Sequence, residues 1–554
     1  MSDNPGSKEM VEMKDAAQHR HLNAKRLVPA RGKKAFARAS SRSWTLVGLV
    51  AGAVAAATCA PYMPPTTVPP STNPAIEPFR AALQAYVDQT QPFRKEAATA
   101  GARVPGQTGT AENAETAVRT RMESLADALA TKLRPDAKQG DLIAPAAGAI
   151  IRESVSQAFA GGRRELLMDA LAEQNDTGKS SSPAPPIAIN LHLDAPRVPP
   201  LLLESLPSLP KQLEYDFIGR VLLLRDVDAD VVVDYLPDTL PEPPPEGVST
   251  APQVSTTVAT SSPLAMPSIR GGTVFALIGD SGSGDLPQRT IAQAMVSYFS
   301  TARRFPFVLM LGDNLYDDDY SGEFLVPYKP LLERGVTFYA ALGNHDRDLQ
   351  IHFKPFNMQD HDYYSFDQGN ARFVALNSNH PLDPAQVKWL DGVFGDAGTK
   401  WRICFFHHPL YSSGQHADES RSVIRPALEP VLVRNKVNVV FSGHEHLYER
   451  VSPQQGVRYF VSGGGGRNLY DFRRSAFDEV GTSEHHFMVV EIAGDRLFYE
   501  AVTAEQRLLD CGLIYRTADA ASKDPDNDTQ AWMKACAAAL KPQEDRLRRP
   551  SIAQ

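Results

Sequence analysis

Phe307-Val308-Leu309-Met310-Leu311-Gly312-Asp313-Asn314-Leu315-Tyr316 is an apolar run that stops at a glycine and passes directly to a carboxylate and a phenol. Four other stretches repeat the pattern. Val274-Phe275-Ala276-Leu277-Ile278 leads into Gly279-Asp280-Ser281-Gly282, and residues 337–342 lead into Gly343-Asn344-His345-Asp346. Residues 402–406 lead into His407-His408-Pro409, and residues 437–441 into Ser442-Gly443-His444-Glu445-His446. Short β-branched and aromatic runs bounded by glycine read as buried strands. Open α/β sheets collect their chemistry beyond the carboxyl ends of such strands. Asp, Tyr, Asn and His gathered at one sheet edge are oxygen and imidazole donors, suited to two adjacent cations.

In this order the five motifs resemble those of the calcineurin-like metallophosphoesterases, and within them the purple acid phosphatases. The family pattern is D-x-G, G-D-x-x-Y, G-N-H-D/E, an apolar run ending in His, and G-H-x-H. The match extends over roughly residues 270–505. The resemblance implies a four-layer α/β/β/α sandwich. It also implies a binuclear centre in which Asp313 bridges both metals. Asp280, Tyr316 and His446 would complete one metal site; Asn344, His407 and His444 would complete the other. Two-metal hydrolases clamp the attacking and leaving oxygens between ions held about 3.5–4 Å apart.

One pair of residues narrows the subgroup. The wider superfamily usually has D-x-H in the first motif, with that His a ligand. Here the position is Gly282, which cannot ligate, and Tyr316 stands where the purple subgroup supplies a phenolate. Phenolate is a hard anionic donor suited to Fe(III). The resemblance therefore implies Fe(III) at the Tyr316 site, with Fe(II), Zn or Mn at the other. The competing reading makes Tyr316 a buried aromatic after a strand.

The implied activity is hydrolysis of phosphate monoesters by attack of a metal-bound hydroxide. Its small phosphate-ester substrate is the one partner the motifs call for. A phosphodiesterase of the same superfamily is the alternative, and a non-catalytic cell-envelope binding protein the second. The family's ligand His lies two residues before a Pro, which selects His407 and leaves His408 behind the site or at the surface. His345 and His416 match family histidines that approach the phosphate, and are expected to be catalytic rather than ligating. His416 follows Ser412-Ser413-Gly414-Gln415, expected to be a flexible loop; the competing reading makes it a solvated loop histidine. Asp346 and Glu445 either orient ligand imidazoles or are solvated. Asp317-Asp318-Asp319 reads as a solvated loop, and Gly463 to Gly466 as a tight packing loop beside the metal loops.

Around the motifs, residues 363–366 and 371–377 flank Asp367-Gln368-Gly369-Asn370 as a hairpin, and residues 486–492 and 497–502 flank Ala493-Gly494-Asp495 as another. Helical spacing marks residues 290–301 and 420–434, the latter interrupted by Pro426 and Pro430.

The remainder of the 554-residue chain divides by composition. Formal net charge is −8 with 42% hydrophobic residues, so charge gives no indication of nucleic-acid binding while core material is ample. Residues 1–44 are basic and aperiodic, and read as disordered. Residues 45–60 contain an apolar stretch, 46–57, shorter than the roughly 20 residues of a spanning helix. Behind a basic segment it fits an export signal or membrane anchor. Cys59, in Ala56-Ala57-Thr58-Cys59, resembles a lipoprotein cleavage site, so residues 45–59 offer a membrane attachment. The expected location is periplasmic or otherwise in the cell envelope. Residues 61–75 are a tether, and 76–235 a separate, mainly helical module whose role the sequence does not state. Within it, Phe217 to Leu224 and Val231 to Tyr235 flank Asp226-Val227-Asp228-Ala229-Asp230, read as a hairpin rather than a cation site. Residues 236–268 are a Pro/Ser/Thr-rich linker, 269–510 the metallophosphoesterase-like domain, and 511–554 a tail. Cys511 and Cys536 could pair in an oxidising compartment; Cys404 reads as an inert core thiol.

Overall fold

The computed structural model describes residues 74–547, apart from 103–110, 161–163, 176–185, 194, 242–262, 265–271, 396–397, 399, 518–520 and 522–524. The basic segment 1–44, the apolar segment 45–60 with Cys59, nearly all of the 61–75 tether and most of the 236–268 linker lie outside the described residues. Among the described residues, no helix is long and apolar enough to cross a membrane.

The N-terminal module begins with α1 (Glu77–Ala102), α2 (Ala111–Ala128), α3 (Pro145–Ala160), α4 (Arg164–Asn175) and one turn, α5 (Pro200–Leu203). An antiparallel sheet follows: β1 (Leu213–Ile218), β2 (Val221–Asp226) and β3 (Val231–Leu236). The segment 217–224 reads as one extended stretch in sequence but folds as parts of two strands, with Gly219-Arg220 between them. Gly219 adopts φ +55°, a left-handed conformation that glycine takes without strain, and reverses the chain there. The Asp-rich segment is indeed a hairpin, with Asp226 opposite Val231. Its acids are neutralised by guanidinium groups: Arg94 pairs with Asp226, Arg121 with Asp228 at 3.1 Å, and Arg225 with Asp230 at 2.6 Å.

The C-terminal domain alternates strand and helix. β4 (Thr273–Ile278), α6 (Leu286–Thr301), β5 (Phe307–Met310), α7 (Val326–Leu332) and β6 (Thr337–Ala340) come first. Then follow β7 (Tyr364–Gln368), β8 (Ala371–Ala375), α8 (Pro384–Val393), β9 (Trp401–Phe405), the short α9 (Ala417–Glu419), α10 (Arg425–Arg434) and β10 (Val439–Ser442). The chain ends in strands: β11 (Tyr448–Gln454), β12 (Val457–Ser462), β13 (Asp478–Thr482), β14 (His486–Ala493), β15 (Arg496–Thr503) and β16 (Leu508–Tyr515). A last helix, α11 (Asn527–Leu547), closes it. One sheet has the order β16-β15-β14-β4-β5-β6, the other β13-β11-β12-β10-β9-β8-β7. β4, β5 and β6 are parallel, as are β8, β9, β10 and β12, so their carboxyl ends gather at one edge of each sheet.

The two sheets pack face to face through aromatic rings. Phe275 on β4 meets Phe373 on β8 edge-on at 5.2 Å and Phe441 on β10 at 6.2 Å. Strands buried on both faces need near-continuous apolar runs, which is why residues 274–278 lack alternation and are all buried. Burying each such Phe contributes about 1.5–3 kcal/mol.

Two expectations need revision. The N-terminal module is separate in sequence but not in packing. Ala114 and Val118 of α2 belong to the inter-sheet core. Tyr215 and Phe217 of β1 share a second core with Val374, Phe406 and Leu428. Arg197 pairs with Asp348 at 2.6 Å across the junction, and Arg347 donates to Ala195 O at 3.0 Å. The apolar faces of α2 and β1 are too large to leave in water, so they cover the C-terminal domain. The second revision concerns the tail from 511. β16 runs on to Tyr515, and a Cys511–Cys536 disulfide ties it to α11. Closing a loop of 25 residues is worth about 3–4 kcal/mol in the chain-entropy account.

Candidate metal centre

Each motif lies in the turn after its strand. Asp280, Asp313 and His444 have φ of +56°, +50° and +69°. Non-glycine residues held in the left-handed region are strained and concentrate at functional sites. The glycines between strand and ligand are dictated by crowding. A Cβ on Gly312 would lie 2.5 Å from the His407 ring, and one on Gly343 2.1 Å from Asp313 Oδ1. Gly282 has no room for a side chain either, since its Cβ would sit 2.1 Å from Asn314 O.

The seven residues expected as ligands come together from five loops. Asp280, Asp313 and His446 present donor atoms within 4.8 Å of one another. Tyr316 Oη lies 3.3 Å from His446 Nε2, which is 3.5 Å from Asp280 Oδ1. Beside this set, Asn344 Oδ1 is 2.7 Å from His407 Nε2 and 3.1 Å from His444 Nδ1. His407 Nε2 is also 3.5 Å from Asp313 Oδ2, so Asp313 stands between the two sets. The far ring nitrogens meet partners that fix orientation. His407 Nδ1 meets Leu311 O at 3.0 Å and His446 Nδ1 meets Asn468 O at 2.6 Å. His444 Nε2 faces the buried Glu419 carboxylate at 3.6 Å.

The electrostatics fit a cation site. Asp280 and Asp313 are almost fully buried, and among the described residues neither forms an ion pair with Lys or Arg. Burial pushes the Asp280 carboxyl well up, against the pull of His407. Asp313 feels the same burial, but His407 and His345 hold it down as the anion of the pair. Burial, with the charges of Asp313 and Asp280, also pushes the Tyr316 phenol up, so a phenolate there needs a cation. His446 is pushed down to about 4 by burial, which leaves it a neutral donor. Two buried carboxylates that pair with no Lys or Arg among the described residues, gathered with one half-buried phenol, one amide and three imidazoles, fit a site for metal ions.

The flanking histidines are both close. His345 sits over Tyr316, ring centroids 4.8 Å apart, with burial taking it down to about 4. His416 is 6% exposed, its ring 4.7 Å from that of His444 and 5.4 Å from Tyr470. The solvated-loop alternative for His416 therefore fails. The expectation of a flexible 412–415 loop also needs correction. Ser413 N–H donates to Glu449 at 3.0 Å, its Oγ to Asp478 at 2.7 Å, and Gln415 N–H to Glu445 at 2.8 Å. Glu445 accepts from His416 N–H as well, at 2.6 Å, so it anchors that loop.

Asp346 is likewise buried, but it orients backbone rather than imidazole. It accepts from Asn314 N–H, Asn314 Nδ2, Leu315 N–H and Gly343 N–H at 2.8–3.0 Å. Asp317-Asp318-Asp319 behaves as a loop: Asp319 caps the following turn, and Asp318 faces Arg347. Gly463 and Gly465 pack tightly against the motif loops, where a Cβ would meet Glu445 O or Gly279 O at 2.3 Å.

Of the two places open to His408, behind the site or at the surface, the structure shows the first. It is buried, not at the surface, and one of its ring nitrogens lies within 4.8 Å of donor atoms on His407 and His444. Its Nδ1 is 2.9 Å from Ser378 Oγ. Two further neighbours had no motif to mark them. Arg467 lies over the Tyr316 ring at 4.5 Å, and Tyr470 stacks on His446 at 4.0 Å. The only hint was that Arg467 directly follows the glycine run.

Residues 273–448 match the family model described as calcineurin-like phosphoesterase. They form a calcineurin-like phosphoesterase domain. Curated relatives that it resembles include purple acid phosphatases. The chain is 28% identical over 218 residues to one from Glycine max, covering 34% of this chain and 46% of the relative. It is 29% identical over 247 residues to purple acid phosphatase 21 of Arabidopsis thaliana, covering 37% and 55%. The chain thus spans about half the length of these curated relatives. A solved purple acid phosphatase from yellow lupin (Lupinus luteus) seeds overlays with a TM-score of 0.39 at 17% identity, covering 58% of this chain and 64% of that one. The phosphoesterase domain accounts for the five motifs; the N-terminal module lies outside the matched residues.

Proposed function

We propose that the chain is an exported phosphohydrolase that cleaves phosphate monoesters at a binuclear metal centre of the purple acid phosphatase type. The observation that carries the reading is the pairing of a sterically closed Gly282 with Tyr316 Oη facing His446. That exchange removes one imidazole and adds one phenol. Asp280, Tyr316 and His446 would hold one cation, ferric by its phenolate. Asn344, His407 and His444 would hold the other, ferrous iron, zinc or manganese, with Asp313 shared. Bound there, the cations supply Lewis acidity and lower the pKa of water at the site.

The remaining work falls to the chain's own residues. His345 and His416 flank the donor sets and would meet phosphate oxygens. His416, held by Glu445 through its backbone, is the proton donor to the leaving oxygen. Purple acid phosphatase relatives and the donor set support the hydrolase reading. The disulfide supports export, because such bonds persist in oxidising compartments, as does the apolar run behind the basic segment.

Two measurements test this. His416→Ala should keep both metals but lose about 10²–10⁴-fold in turnover, the range of general acid catalysis. The loss should be larger for an alkyl phosphate than for a nitrophenyl ester, whose leaving group departs unprotonated. Equal losses on both esters would remove His416 from the acid role. Including a diester in the same panel separates monoesterase from phosphodiesterase. The iron-loaded protein should also absorb visible light through phenolate-to-iron charge transfer, and Tyr316→Phe should abolish the band with the fold intact. An active, iron-loaded wild type without that band would exclude the phenolate ligand.

A further inference from the structure

The N-terminal module reaches the metal centre itself. A cavity of about 20 Å³ lies where β1 and the stretch before α5 meet the loops after β6 and β8, lined by Arg197, Tyr215, Asn344 and Asn379. All four are more than nine-tenths buried, with exposures of 6%, 4%, 3% and 3%. Each carries a polar atom with no hydrogen-bond partner in the protein: Arg197 Nε and Nη1, Tyr215 Oη, Asn344 Nδ2 and Asn379 Oδ1. Buried polar atoms are nearly always paired, so their convergence on one cavity calls for an explanation.

The partners of the other atoms decide which way each group faces. Asn344 Oδ1 is taken up by His407 and His444, which turns its Nδ2 away from the donor sets. Asn379 Nδ2 donates to Gly343 O at 2.9 Å, leaving its Oδ1 as a free acceptor. Arg197 Nη2 is held by Asp348 at 2.6 Å and Glu214 at 3.1 Å, leaving Nε and Nη1 as free donors. The space suits one water molecule, which makes two to four hydrogen bonds, and excludes a substrate group.

We propose that a buried water in this cavity ties Asn344 to the N-terminal module, making Arg197 and Tyr215 positioning residues for the second cation site. The water accepts from Asn344 Nδ2–H and an Arg197 N–H, and donates to Asn379 Oδ1 and Tyr215 Oη. Asn344 is then fixed with its carbonyl oxygen toward His407 and His444. The module thereby completes the metal centre instead of being a neighbour to it. The proposal rests on the reading of Asn344 as a metal ligand.

The test uses the full chain, stripped of metal and titrated with Zn(II) against a competing chelator. Tyr215→Phe and Arg197→Lys should each weaken one of two bound equivalents by about 10-fold or more, the usual effect of losing an outer contact to a ligand. The other equivalent should stay at its wild-type value in both variants, as should the metal-free melting temperature of Tyr215→Phe, which touches no ion pair. Arg119→Ala, on the exposed side of α2, is the control and should change neither. Unaltered affinity in both variants overturns the proposal. So does weakening of both equivalents together with a lower metal-free melting temperature, which marks a merely structural role. If Arg197→Lys does not fold, Tyr215→Phe decides alone, since it removes one oxygen that has no protein partner. A wild type that binds fewer than two equivalents would instead overturn the reading of the centre on which the proposal stands.

Discussion

Asp313→Asn is expected to lose bound metal and hydrolytic activity together while keeping the fold. The substitution is nearly isosteric. Asn is among the residues that tolerate the φ of +50° at this position. Its carbonyl oxygen can still accept the His345 N–H now held by Asp313 Oδ1 at 3.0 Å. What disappears is the negative charge between the two donor sets, the charge that His407 and His345 stabilise as the anion of the Asp280–Asp313 pair. Losing an outer contact to a ligand already costs about 10–100-fold in metal affinity or activity. On the proposed reading, in which Asp313 is shared by both cations, its loss should exceed that, taking turnover of a nitrophenyl phosphate toward background. Metal content by elemental analysis should fall in step. A purified variant that retained both metals and full turnover would remove Asp313 from the bridging role.

Asp346→Ala should produce a large loss of stability. Four N–H donors from two different loops converge on this one carboxylate. A buried donor left without a partner costs about 1–3 kcal/mol. Four of them amount to at least about 4 kcal/mol, even at the lower limit. Those donors belong to the turns that carry Asp313 and Asn344, so the damage falls on the geometry of the centre as well. The expected result is a lowered melting temperature with both metals weakened, read by thermal denaturation and metal titration. A variant with wild-type stability would mean that the two loops are held by other contacts.

The same carboxylate shows where sequence reading stopped. Asp346 sits inside a recognised motif, and its neighbours in the chain leave open whether it is solvated or turned to an imidazole. Its four partners include residues 31 and 32 positions away, so no local pattern encodes them. Glu445 and His416 repeat the lesson at a separation of 29 residues. His408 is adjacent in sequence to a ligand candidate, yet the partner of its buried ring is Ser378, 30 positions earlier. The break of residues 217–224 into two strands turned on the Gly219-Arg220 pair between two apolar stretches. The packing of the N-terminal module could not be read at all, because amphipathic spacing says that α2 buries one face without saying against what.

Legible in the chain were the strand-like runs, the donor residue types at their ends and the glycines between them, and with them the gathering of seven donors at one edge; the sandwich followed from the family resemblance those motifs carry. Those features depend on neighbours within ten residues and on the rule that parallel strands present their carboxyl ends at one edge. Only the packed chain shows which carboxylate anchors which loop, which acids Arg94, Arg121 and Arg225 neutralise, and that Arg197 and Tyr215 border the cavity behind Asn344. Buried polar groups must find partners wherever packing brings them, and the separations involved exceed any period that composition or spacing can carry.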